Sequence, residues 1–300
     1  MMRKMVAFLY DQKVAPYVFV LPFVLTFLVF FIYPVLTTIQ MSFQEILPGM
    51  VTNVGLKNYQ RLLGDRIFRT AIINSVLYTF WTLALLIPFP LAFACMLNSR
   101  SMLGRGFFKA SLFLPVVTSV VVAGTIFRLM FGEVDSSLMN TLRMFFGFRP
   151  IKWLKVKETG FAAMVLMACW RWTGINMLYF LSGLKGIPPE MYESAEIDGA
   201  NVWQKFRHIS MPLVKPTIVY VLTISVYGGL AMFTESYMLW AGNSSPKNIG
   251  LTIVGYLYRQ GWEQNRMGYA SAVGLVLLAV AMVINLGQLR LTGVLGKERD

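Results

Sequence analysis

Six separate runs of mostly apolar residues, each long enough to cross a bilayer as a helix, dominate this sequence. They lie near residues 14–39, 70–97, 107–131, 160–182, 211–234 and 269–290, and a hydrocarbon core needs about 20 such residues. An open sheet edge in lipid leaves backbone groups unpaired, so each run is expected to be a helix. The fold class that follows is an all-α membrane protein with six transmembrane helices. Composition excludes the soluble alternative: 56% of the 300 residues are hydrophobic and 14% charged, against roughly 25% charged in soluble domains. So few polar groups cannot cover a core of that size.

Prolines interrupt several runs, with Pro22 and Pro34 in the first, Pro88 and Pro90 in the second and Pro115 in the third. Kinks are expected there, since neighbouring helices or polar groups can satisfy the freed carbonyls. The connections, near 40–69, 98–106, 132–159, 183–210 and 235–268, are too short or too polar to build a core of their own. One transmembrane domain over 1–300 is therefore expected. The basic start, Met1-Met2-Arg3-Lys4, precedes an apolar run longer than that of a cleaved signal, and reads as a retained first span.

The net charge of +13 would suggest nucleic acid in a soluble protein. Here the basic residues sit between the spans, where they set orientation and meet lipid headgroups. Lys and Arg divide evenly between the two sides of the membrane, 13 on each if Arg128 is counted and Arg171 set apart. The terminus side is made of shorter segments, so its charge is denser, which favours both termini in the cytoplasm. Cys95 and Cys169 fall inside apolar runs and read as small buried hydrophobes. One His and two scattered Cys make no metal site.

The one strongly structured connection is Ile187 to Pro212, IPPEMYESAEIDGANVWQKFRHISMP. Pro188 and Pro189 suit a helix start, where a missing amide costs nothing, and Glu190 and Glu193 place negative charge at the positive end of the helix dipole. Gly199 can end that helix in a left-handed conformation. Asn201 can cap a second helix with Trp203 and Phe206 on one face and Lys205, Arg207 and His208 displaced from it. Pro212 then opens the fifth span. A bland amphipathic connection resting on headgroups fits poorly, because Glu193 and Glu196 with the small Ser194 and Ala195 are poor chemistry for anionic lipid. This surface suits docking into a protein partner.

Glu193-Ser194-Ala195, Gly199, Ile209 and Met211-Pro212 stand at the spacing of the EAA signature, E-A-A, three residues, G, nine residues, I-x-L-P. The chain thus resembles the inner-membrane permease subunits of binding-protein-dependent ABC importers, with Ser194 and Met211 departing modestly from the pattern. Further segments resemble the carbohydrate branch, on the side of the larger maltose permease subunit. These are Gly55-Leu56-Lys57-Asn58-Tyr59, Gly106-Phe107-Phe108-Lys109-Ala110 with Phe113-Leu114-Pro115, Trp170-Arg171 with Asn176, Ile187-Pro188-Pro189-Glu190, and Gly268-Tyr269-Ala270-Ser271-Ala272. Two extracytoplasmic stretches of that branch are altered here, to Phe233-Thr234-Glu235-Ser236-Tyr237 and Ala241 to Pro246.

The resemblance implies the type I permease fold with a cytoplasmic helix-turn-helix coupling element at 187–212, in a bacterial cytoplasmic (inner) membrane. It implies a second permease subunit in a heterodimer, an extracytoplasmic solute-binding protein, and two ATPase subunits that hold ATP and Mg. The chain itself has no phosphate loop, since Gly293 to Lys297 reads G-V-L-G-K without the required spacing or hydroxyl. In the implied arrangement the ATPase-coupling residues are Glu193, Ser194, Ala195, Asp198, Gly199, Ala200, Ile209 and Pro212.

A passage for sugar needs amide or hydroxyl partners and aromatic platforms. Trp170, Trp172, Asn176 and Tyr179 of the fourth span supply these, with Tyr227, Phe233, Glu235 and Tyr237 in or after the fifth. Arg171 is a charge inside an apolar run and a functional candidate on that ground. The competing structural reading makes the aromatics an interface belt and Arg171 a partner of Glu235. Asn74 and Ser75 are expected to join helices by hydrogen bonds. His208 has no nucleophile or carboxylate pattern around it and reads as an interface residue.

The function expected is import of a sugar or oligosaccharide by alternating access, with a polyol, a glycerol phosphodiester or another small solute as alternative cargo. An ion-coupled secondary transporter would want carboxylates or unwound half-helices at mid-membrane, and apart from Glu235 none is evident. A membrane-embedded enzyme would want paired carboxylates, a nucleophile with its base, or metal ligands, and the sequence offers none.

Overall fold

A computed structural model describes residues 12–47, 49–99 and 102–293. The basic start at Met1 to Lys4 and most of the Gly293 to Lys297 stretch lie outside these residues. The chain divides into two compact units, one formed by Met1–Gly64 with Leu257–Val276 and the other by Asp65–Tyr256 with Leu277–Asp300.

In the first unit, helix α1 (Ala15–Phe27) passes through a wide π turn at Leu28–Ile32 into α2 (Tyr33–Ser42). The amide of Tyr33 reaches back five residues to Leu28 O. Such a widened turn shifts the carbonyls that a proline ring would otherwise strike, and Pro34 follows at once. Strands β1 (Gln44–Leu47) and β2 (Met50–Asn53) pair antiparallel in the register Gln44 to Asn53 and Leu47 to Met50, and α3 (Lys57–Gly64) follows. Asn58 ties this region together by donating to Ser42 O and Gln44 O, both at 2.9 Å, while Tyr59 donates to Ser42 Oγ at 2.7 Å.

The second unit opens at Asp65, whose carboxylate caps α4 (Arg66–Leu86) by accepting from the amides of Ile67 and Phe68. Tyr256, at the far end of the unit's first segment, donates to the other oxygen of the same carboxylate. Helix α5 (Pro88–Asn98) continues α4 beyond a break at Ile87. Next come α6 (Arg105–Val117) and α7 (Val120–Met130), which meet at 97°. The sequence led us to expect a single span over 107–131 with a kink at Pro115. Instead the helix persists two residues beyond Pro115 and breaks at Thr118 and Ser119, both extended. Its 13 residues rise only about 20 Å, short of a hydrocarbon core of about 30 Å. The described residues thus hold five helices long and apolar enough to cross, and a sixth crossing if the bent pair is one span.

Helix α8 (Leu138–Phe145) lies in the next connection, where buried Asn140 donates to Val134 O and Ile151 O and accepts from Ile151 N and Trp153 Nε1. Helix α9 (Lys157–Lys185) is central and touches α4, α5, α6 and α7. Gly174 sits where an added Cβ would collide with the carbonyl of Leu112, so only glycine lets α9 lie against the α6 backbone.

Helices α10 (Pro189–Ile197) and α11 (Val202–Lys205), a second π turn at Phe206–Ser210 and α12 (Met211–Leu230) follow. The sequence predicted that Pro212 would open the fifth span. Instead Val202–Leu230 is one continuous helix, because the amide of Met211 reaches Phe206 O and the widened turn absorbs Pro212. Helices α13 (Thr234–Leu239) and α14 (Ile253–Tyr258) complete the connection to the last span, and α15 (Met267–Leu291) begins in the first unit and ends in the second. The 187–212 segment is therefore not the sole structured connection, since 44–64, 138–145 and 234–258 also fold.

Two apolar clusters hold the second unit. One gathers Phe127, Phe131, Met164, Met167 and Leu239; the other gathers Leu91, Met177, Phe180, Val214 and Val221.

Candidate functional site: a membrane cavity and a helical hairpin

Helix α9 presents Ala168, Trp172, Ile175, Asn176 and Tyr179 on one face, at the three- and four-residue steps of an α-helix. With Tyr78, Thr82 and Leu86 of α4 and Ile224, Ser225, Gly228 and Gly229 of α12, they line a cavity of about 210 Å³ closed by Met232 and Glu235. That is below the roughly 300–1,000 Å³ of pockets for drug-sized ligands, and suits one ring at a time. Gly229 permits the closeness of its walls: an added Cβ would stand 2.7 Å from Thr79 Oγ1.

Of the residues expected from sequence to touch cargo, Trp172, Asn176, Tyr179 and Glu235 line this cavity. The others do not. Trp170 packs its ring on Phe127, Tyr227 is exposed, and Phe233 and Tyr237 pack on each other at 5.3 Å between ring centroids. Arg171 donates from Nη1 to Glu235 Oε1 at 3.0 Å, with both side chains mostly buried, and its guanidinium lies over the Trp172 ring at 5.3 Å.

Asn176 has a second task. Its Nδ2 donates at 3.2 Å to Leu86 O, the carbonyl four residues before Pro90 and so the one Pro90 cannot serve. Tyr78, Thr82, Ser225 and the Gly228-Gly229 pair were missed by sequence reasoning. The available signal was their helical spacing, Tyr78, Thr82 and Leu86 four apart on α4 and Ser225 and Gly229 four apart on α12.

Ser75 joins α4 to the first residue of helix α14, as the sequence led us to expect, whereas Asn74 ties α4 to the loop that precedes α14. Asn74 Nδ2 donates to Asn248 O, Ile249 O and Leu251 O, and Ser75 Oγ accepts from Ile253 N at 2.9 Å.

At the other end of α9, the chain turns at Gly186 into the hairpin α10–α11. Gly199 has φ +77°, and the amides of Gly199 and Ala200 reach back to Glu196 O and Ala195 O. This pairing ends a helix with glycine in the left-handed region. Asn201 and Gln204 then cap α11 reciprocally: Gln204 N donates to Asn201 Oδ1 at 2.9 Å, and Asn201 N to Gln204 Oε1 at 2.8 Å. Lys205 clamps the two arms through Glu196 at 2.7 Å, and Tyr192 is hydrogen-bonded to Ser210 at 2.9 Å.

Glu193, Ser194 and Asp198 are exposed on the hairpin, Ala195 and Ala200 half-buried, and Ile209 packs into the core cluster around Val214. Exposed Ile197, Val202 and Trp203 give the tip an apolar surface. Glu193 lines a groove of about 640 Å³ between the hairpin and the ends of α5 and α9. His208 Nδ1 lies 3.0 Å from Gln204 O, away from any catalytic grouping. Among the described residues no cluster of three or more His, Cys, Asp or Glu could hold a metal ion.

The sequence profile of the family described as binding-protein-dependent transport system inner membrane component matches residues 5–292. The chain belongs to this family. It is a multi-pass membrane permease of the type I ABC importer fold, from transport systems that work with a binding protein. It is 55% identical over 284 residues to the arabinooligosaccharides transport system permease protein AraP of Bacillus subtilis (strain 168), covering 95% of this chain and 90% of that one. Identity to the trehalose/maltose transport system permease protein MalF of Thermococcus litoralis is 28% over 275 residues, 91% of this chain and 92% of that one. The permease fold also matches, with a TM-score of 0.82 and 26% identity, a chain in the crystal structure of a bacterial ABC transporter involved in the import of the acidic polysaccharide alginate. That match covers 94% of this chain and 96% of the other.

Proposed function

We propose that this permease carries a sugar or oligosaccharide into the cell as one half of a heterodimeric pore. Two separate ATPase subunits drive it with ATP and Mg, and an extracytoplasmic binding protein delivers the cargo. The observation that carries the reading is the mechanical path from hairpin to cavity. Helix α10 lies in sequence between α9 and the continuous helix Val202–Leu230, whose first turn is α11, and α9 and that continuous helix supply two walls of the cavity. Movement of a docked hairpin would therefore change the cavity directly.

The hairpin would seat in a cleft of one ATPase subunit, with Glu193 and the apolar tip in contact and both termini on that cytoplasmic side. Nucleotide drives transport only through a difference in affinity for the two arrangements of the pore. Swinging a two-state equilibrium from 1:99 to 99:1 takes about 5.5 kcal/mol, so a loose hairpin contact would dissipate the coupling. The sugar assignment draws on AraP, MalF and the alginate importer. It also fits the cavity, where the aromatic rings of Trp172, Tyr78 and Tyr179 stand beside hydrogen-bonding groups of Asn176, Ser225 and Glu235.

The test is reconstitution in liposomes with the partner permease, ATPase and binding protein, and a panel of oligosaccharides. Stimulation of ATP hydrolysis and uptake by one sugar is expected. Uptake by this chain alone, following an ion gradient, would replace the ABC reading with a secondary carrier.

A further inference from the structure

The relatives named above carry neutral and acidic glycans alike, so the charge of the cargo is an open property of this cavity. Glu235 is the only acidic or basic residue lining it. Arg171, the countercharge, is not among the lining residues: Nη1 is 3.0 Å from Glu235 Oε1, the guanidinium lies over Trp172, and its buried Nε has no partner among the described residues. The pair is neutral as a unit, yet its acid rather than its base lines the passage. Tyr78, Thr82, Asn176, Tyr179 and Ser225 add dipoles to the wall and no cation.

We infer that the Arg171–Glu235 pair selects neutral sugars against uronates, with Glu235 as the specificity-determining residue. This deepens the sugar-import reading and rests on it. A neutral sugar hydroxyl can donate to the Glu235 carboxylate, whereas a uronate carboxylate meets it as a like charge. At an effective dielectric of about 20, a lone carboxylate roughly 6 Å away would cost a uronate about 100-fold in affinity, and the paired Arg171 cancels most of that, leaving about a fivefold loss. Glu235→Gln keeps an acceptor for Arg171, removes the repulsion and leaves the Arg171 charge uncompensated beside the cavity.

The experiment uses the complete permease and ATPase complex in nanodiscs without the binding protein, so that delivery does not set the selection. Binding of arabinotriose and of trigalacturonate is measured directly. The native complex should prefer arabinotriose by about fivefold. Glu235→Gln should move the ratio toward trigalacturonate by more than about tenfold, while Arg171→Gln with Glu235→Gln should bind arabinotriose and shift the ratio less. Equal binding of both sugars by the native complex would overturn the inference, as would an unchanged ratio in Glu235→Gln. If Glu235→Gln fails to assemble, the double variant decides, and an unchanged ratio there overturns it too. An assembled, ATP-hydrolysing native complex that binds neither sugar would sink the sugar reading itself, which is distinguishable from a failure of selectivity alone.

Discussion

Replacing Asn176 by Leu should destabilise the protein through a carbonyl on another helix, and Pro90 should decide by how much. Asn176 donates at 3.2 Å to Leu86 O, a bond buried between α9 and the end of α4. In a regular helix that carbonyl would be served by the amide of residue 90, which proline lacks. Asn176→Leu conserves volume and leaves Leu86 O without a donor. Hydrogen bonds between membrane helices average about 0.6 kcal/mol and reach about 1.7, while an orphaned buried acceptor costs about 1–3 kcal/mol. A loss of about 1–2 kcal/mol is therefore expected, or roughly 2–8 °C in thermal unfolding at about 2–4 °C per kcal/mol. With Pro90→Ala the amide of residue 90 can take the carbonyl, so Asn176→Leu should cost about 1 kcal/mol less in that background. The assay is thermal unfolding of all four variants in one detergent or nanodisc preparation. Additivity of the two substitutions within about 0.3–0.5 kcal/mol would refute the reasoning. A double variant that recovers stability but not uptake would assign the amide a second role, toward cargo.

Gly199 has φ +77° with open space around its missing Cβ, so substitutions there act through backbone strain alone. Gly199→Val should cost about 1–2 kcal/mol and depress coupled ATP hydrolysis, whereas Gly199→Asn should be milder because Asn tolerates the left-handed region; equal activity of both variants would remove that explanation. Glu193→Lys is expected to leave a membrane-inserted, assembled complex without uptake, and normal uptake would sink the docking role given to Glu193. Gly174→Ala drives a Cβ into the Leu112 carbonyl and should lower stability by about 1–3 kcal/mol, read as earlier thermal aggregation of the purified subunit. Breaking the Arg171–Glu235 pair with Arg171→Met should cost about 3–5 kcal/mol, while Arg171→Met with Glu235→Leu should be nearly neutral; a double variant as unstable as the single would contradict this.

Much of the fold was legible before any coordinates. Apolar runs specify helices in lipid because no other open structure satisfies its own backbone, and five of the six runs match continuous helices. The hairpin was equally legible, since its signals are local: Pro189 in the first helical turn, Gly199 at the turn and Asn201 with Gln204 at the second cap each act within a few residues. Distance in sequence hid the rest. The 97° break between α6 and α7 falls at Thr118 and Ser119 rather than at Pro115, and π turns carry the chain past Pro34 and Pro212 without ending a helix.

The cavity shows the same division. Residue type alone singled out Trp170, Trp172, Asn176 and Tyr179 on α9, and helical spacing brings the last three of these onto the cavity wall. The sequence also offered the Arg171–Glu235 pair, which forms at 3.0 Å, but the meeting of Thr79 with Gly229 was decided by packing across a long stretch of chain. Only tertiary structure could spend the Asn176 amide on Leu86 O or place Glu235 on the cavity wall. A sequence states which groups must be buried in lipid; which of them satisfy one another depends on the contacts between helices.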